Sequence, residues 1–76
     1  MNQTFTFKGK TFLKIENMID EETTNLKVID MHHNIEIFNE SYTQDTKVSV
    51  VLTLRKEMIE WIKDVYESPI NDTMAS

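Results

Sequence analysis

Polar and apolar residues alternate at Thr4-Phe5-Thr6-Phe7, and Thr11-Phe12-Leu13-Lys14-Ile15-Glu16 resumes the extended pattern, which predicts two extended segments. The only glycine in the chain, Gly9, lies between them, so residues 3–16 are expected to form a β-hairpin that turns at Lys8-Gly9-Lys10. A two-residue turn at Gly9-Lys10 would set Phe5 opposite Lys14. A three-residue connection instead lets Phe5 and Phe7 share a face with Leu13 and Ile15, and this second register is preferred. It leaves Phe12 on the other face beside three lysines, either as a partner contact or covered by the chain's own tail or a second subunit.

Further along, Leu26 to Met31 has the pattern of a strand, and Asn34 to Phe38 that of another strand or of the same one continued past a bulge at His32-His33-Asn34. Residues 41–45 are polar and predict a connection. The segment Lys47-Val48-Ser49-Val50-Val51-Leu52-Thr53 is the most apolar of the extended candidates and is expected to be a central strand. From Leu54 the period changes to 3.6. Leu54, Met58, Trp61, Ile62 and Val65 form one stripe, widened by Ile59 and Tyr66, which predicts an amphipathic helix over 54–67 with Thr53 as its cap. Ser68-Pro69 should end it. The fold class expected is therefore α+β, an antiparallel sheet of about four strands followed by one C-terminal amphipathic helix packed on one face. Residues 1–70 would form the single domain and 71–76 a flexible tail.

Size sharpens this picture. A chain of 76 residues buries only about 60% of the surface its unfolded form exposes, and the absence of cysteine removes disulfides and the commonest structural zinc sites. A second subunit is then the natural supplement to a thin core. The N-terminal residues lack a charged start followed by an apolar run, and no apolar stretch approaches the ~20 residues that span a bilayer, so a cytoplasmic protein is expected.

Charge is distributed unevenly. Lys8, Lys10 and Lys14 are the only charged side chains in residues 1–14, whereas residues 15–76 hold five basic and thirteen acidic groups, for a net charge of −5. Phosphate binding needs lysine and arginine to displace counterions, so direct nucleic-acid binding is disfavoured over most of the surface and a partner with a basic surface is favoured. Two acidic groupings qualify as partner-binding candidates, the helix residues Glu57, Glu60, Asp64 and Glu67 and the loop Asp20-Glu21-Glu22. Together they could imitate the charge spacing of a nucleic-acid backbone. A solvated acidic surface is the plain alternative.

Motifs for chemistry are missing. His32 and His33 are adjacent and would point to opposite faces of a strand, and Asp30 with His32 makes only two ligands, so no metal or cofactor is expected. With no cysteine, no Gly-x-Ser-x-Gly elbow and a single glycine, nucleophilic catalysis and phosphate loops lack support, and an enzyme is not expected. The profile is similar in type to the small inhibitor and accessory proteins of phages and mobile elements. That similarity implies a non-enzymatic acidic interaction protein that blocks a host protein or nucleic-acid-processing complex. Two alternatives stand beside it: a self-associating structural or assembly protein, as a homodimer through Phe12 or a free strand edge, and a weak nucleic-acid binder using Lys8, Lys10, Lys14 and Phe12.

Overall fold

In a computed structural model, the structure describes residues 2–67. Four strands, β1 (Asn2–Phe7), β2 (Lys10–Met18), β3 (Thr24–Asp30) and β4 (Ile35–Tyr42), make one antiparallel sheet in the order β1-β2-β3-β4. A helix, α1 (Lys47–Trp61), follows and closes in a wider π-helical turn over Ile62–Tyr66. The architecture is the α+β class, sheet first and helix last. The expected flexible tail at 71–76 and the stop at Ser68-Pro69 lie outside the described residues.

The hairpin turns more tightly than the preferred register required. Lys8 (φ 51) and Gly9 (φ 78) both take left-handed conformation, the signature of a two-residue turn whose twist matches the flanking strands. Phe7 therefore faces Lys10, and Phe5 faces Phe12. A one-residue slip inverts a strand, so Phe12 points inward where Leu13 and Ile15 were expected to. Burial decides the outcome: Phe12 is fully buried and stacks on Phe5 with ring centroids 5.7 Å apart. Leu13 and Ile15 sit half-buried on the open face of the sheet, Leu13 opposite Ile29.

The second correction concerns residues 47–53, which are the first half of α1 and not a central strand. Val50, Leu54, Met58 and Ile62 recur every four residues and lie against the sheet, which fixes the segment as helix despite its β-branched residues. Thr46, and not Thr53, precedes the helix, and its hydroxyl accepts the Thr43 backbone N–H at 2.8 Å to close the β4–α1 connection. Thr53 lies inside the helix and donates to the Ser49 carbonyl at 3.0 Å. His32-His33-Asn34 belong to the turn between two separate strands, with Asn34 at φ 56, and a bulge follows where Val28 faces Phe38 but Ile29 faces Glu36.

The core is one layer between helix and sheet: Phe12, Leu26, Val28 and Phe38 from the strands, Leu54, Met58 and Ile62 from the helix. Phe5, Phe7, Trp61 and Tyr66 pack around it. The helix carries a second apolar row. Val48, Val51 and Leu52, at i, i+3 and i+4, remain 71%, 45% and 62% exposed. Val65, expected on the buried stripe, is exposed as well.

Candidate functional site

Among the described residues, the one ionisable group in the interior is Asp30, at the end of β3, with no exposed surface. Three features of the chain converge on its carboxylate. The β3–β4 turn supplies the backbone N–H groups of His32 (2.9 Å) and His33 (3.3 Å) and the His33 ring Nδ1 at 2.9 Å. The helix supplies the Trp61 indole N–H at 2.7 Å, and the π turn supplies the Tyr66 hydroxyl at 2.8 and 2.9 Å from the two oxygens.

The widened turn explains how both aromatic residues reach one acceptor. In a continuous α-helix, residues five apart diverge by about 140°; a π turn, with i→i+5 bonding such as Glu67 N–H to Ile62 C=O at 2.9 Å, brings them onto one side. Burial pushes the Asp30 carboxyl upward, but the bonds from Trp61, His33 and Tyr66 outweigh it and hold the group well below the usual carboxylate range. An ionised carboxylate only accepts, so His33 Nδ1 carries its proton. Burial, and then the Asp30 bond, raise the Tyr66 hydroxyl above its ordinary value. This arrangement locks the helix end to the β3–β4 turn. It keeps the carboxylate ionised and fully engaged, a poor starting point for a general acid.

The charged surface divides between the two edges of the molecule. Ser49, Val50 and Thr53 border a recess with Glu40, which places that side of α1 over β4. Glu57, Glu60 and Asp64 follow Thr53 at i+4, i+7 and i+11 and are exposed, as is Glu40 on β4, with the exposed Lys56 and Lys63 at i,i+4 spacing to Glu60 and Glu67. Glu36 faces Ile29 on the open side of the sheet. On the opposite side, Lys47, Val51 and Leu54 border a recess with Phe5 and Lys14, and the Arg55 guanidinium stands 5.7 Å from the Phe7 ring. Lys8 lies in the β1–β2 turn, and Lys10 at its end has its ammonium 4.5 Å from the Tyr66 ring. The β4 side of the helix is thus mainly acidic, partly offset by Lys56 and Lys63, and the β1 side is mainly basic, with Glu16 3.9 Å from Lys14.

These placements sort the sequence candidates. Glu57, Glu60 and Asp64 share the acidic flank, with Glu67 exposed at the helix end. Asp20, Glu21 and Glu22 do not join them. Their loop lies beside Tyr42, Gln44 and Lys47 at the start of α1, about 20 Å along the helix from the Asp30 end. Asp20 is also occupied locally: its carboxylate accepts the N–H groups of Glu22 (2.9 Å) and Thr23 (2.8 Å), and the Glu22 bond is the main cause of its lowered pKa. Phe12 is withdrawn as a partner contact by its complete burial, which also removes the aromatic from the nucleic-acid alternative and leaves only the lysines.

Sequence reasoning missed Asp30 as the hub, although Asp30, His33, Trp61 and Tyr66 were each visible. Adjacent histidines after an Asp hinted at an Asx-type turn. Nothing local in the sequence pointed to the π turn. Among the described residues no group of three or more His, Asp or Glu side chains is placed to hold a metal ion, and no helix is long and apolar enough to cross a membrane. Comparison with protein families, curated proteins and solved structures gave no match.

Proposed function

We propose that this protein works without catalysis, by docking the acidic flank of α1 and β4 onto a basic surface of a partner protein. The observation that supports the reading is an uneven distribution of charge: Glu40, Glu57, Glu60 and Asp64, partly offset by Lys56 and Lys63, lie on the β4 side, while Lys8, Lys10, Lys14, Lys47 and Arg55, partly offset by Glu16, lie on the β1 side. Solubility alone is served by interspersed signs. Concentrating one sign costs self-repulsion and gains a field that steers a complementary partner. A basic groove that ordinarily receives nucleic acid fits this description, and blocking such a groove is how an inhibitor of a host nucleic-acid-processing complex would act.

The test is affinity capture from lysate of the native host with wild-type protein and with a Glu57→Lys, Glu60→Lys, Asp64→Lys triple variant, whose fold is checked by circular dichroism. All three side chains are exposed, so the variant should fold. The captured partner should release as salt rises and should bind the variant at least about tenfold more weakly. Equal capture by both proteins refutes the acidic-flank mechanism.

A further inference from the structure

We infer that β1 is an interface strand, pairing antiparallel with β1 of a second copy of this chain to make a two-fold dimer with one continuous sheet.

The two edges of the sheet are not equivalent. β4 carries Glu36 and Glu40 and pairs with β3 through a bulge, devices that discourage further pairing. β1, Asn-Gln-Thr-Phe-Thr-Phe, has no charge, proline, glycine or bulge along its length. Such an edge invites another strand.

Hydrogen-bond alternation shows which groups are on offer. Phe7 and Lys10 close a two-residue turn and so form a hydrogen-bonded pair, as do Phe5 with Phe12 and Gln3 with Lys14 at alternate positions. The Thr6–Thr11 pair lies between them, and Thr11 turns its carbonyl away from β1 to accept the Met31 N–H at 3.3 Å. Asn2, Thr4 and Thr6 therefore present their N–H and C=O groups to the open edge.

Symmetry and side chains favour a second copy as the occupant. A two-fold axis perpendicular to the sheet reverses strand direction and preserves the face, so residues opposed across it have the same parity. Phe5 and Phe7 of both copies then meet on the helix side. In the single chain these two rings are only half-buried, at the rim of the core. Pairing completes their burial and opposes only uncharged side chains along β1 itself, while it brings the cations beside β1, such as Arg55 next to Phe7, of the two copies near one another, so the dimer should strengthen as salt rises. It also supplements a thin core that has no cysteine to cross-link it.

The test reads both mass and edge. Light scattering across about a hundredfold range of concentration should show twice the 9.0 kDa monomer mass at the upper end. Amide exchange by NMR should show Thr4 and Thr6 becoming protected as the dimer forms. Thr4 and Thr6 side chains are exposed, so a Thr4→Lys, Thr6→Lys variant should fold yet remain monomeric, and mixing it with a Thr4→Glu, Thr6→Glu variant should restore the dimer mass. A monomer at every concentration overturns the proposal. So does a dimer whose Thr4 and Thr6 amides exchange as fast as those of exposed turns, or one indifferent to the lysine substitutions.

Discussion

Replacing Asp30 tests the account of how helix and sheet are held together. Asp30→Ala removes the acceptor shared by Trp61, Tyr66 and His33 and leaves the half-buried indole N–H and hydroxyl without their partner. Each such group costs about 1–3 kcal/mol, so the loss should be about 3 kcal/mol or more. A 76-residue domain has a total stability of roughly 4–11 kcal/mol. The variant should therefore lose a large part of its stability, and Asp30→Asn, which keeps the shape but offers fewer acceptor sites, should lose less. Trp61 is the only tryptophan and donates directly to Asp30, so its fluorescence in a urea titration reports this contact and global unfolding together. With a urea slope near 1 kcal/mol/M, the midpoint of Asp30→Ala should fall by about 3 M.

The pH dependence follows from the same bonds. Because the folded pKa of Asp30 is depressed, its stabilising contribution is present above the unfolded value of about 3.9 and is lost as pH falls through that value toward the folded one. The stability difference between wild type and Asp30→Asn should thus shrink between about pH 5 and pH 2. An Asp30→Ala midpoint within measurement error of wild type, or a difference that does not change with acid, would refute the clamp.

Other outcomes can be checked in the same assay. Tyr66→Phe removes one donor to Asp30 and should cost about 1–2 kcal/mol, with a longer-wavelength Trp61 emission if the helix end loosens. Lys8 holds a left-handed backbone that asparagine adopts more readily, so Lys8→Asn should raise stability by about 0.5 kcal/mol, whereas Gly9→Ala (φ 78) should lower it by about 1 kcal/mol. Phe12→Ala should cost about 3–5 kcal/mol because the ring is fully buried. Leu52→Ser, on the exposed helix row, should change stability by less than about 0.5 kcal/mol, as seen by circular dichroism melting.

What the sequence disclosed depended on how far each signal reached. The class of fold was legible, since the alternation around Phe5 and Phe7 and the 3.6 period after Leu54 are local patterns that the sheet and the helix then obey. The hairpin register was not. Phe12, Leu13 and Ile15 offer apolar residues of both parities, and only a backbone with Lys8 and Gly9 left-handed decides between them. The first half of α1 was hidden by its two apolar rows, the buried one through Val50 and Leu54 and the exposed one through Val48, Val51 and Leu52, which together resemble the continuous run of an interior strand. Of the candidate site, the grouping of Glu57, Glu60 and Asp64 was a matter of helical spacing and could be read directly. Their alignment with Glu40, and their distance from Asp20-Glu21-Glu22, depend on where the helix lies across the sheet. The Asp30 hub joins residues 31 and 36 positions apart, beyond any local pattern.

The most direct test of the docking mechanism is to cross-link the captured complex with a zero-length carboxyl-to-amine reagent and locate the joined residues by mass spectrometry. Docking by the acidic flank predicts links from Glu40, Glu57, Glu60 or Asp64 to lysines of one partner protein. Links confined to the Asp20-Glu21-Glu22 loop or the β1–β2 hairpin would contradict it.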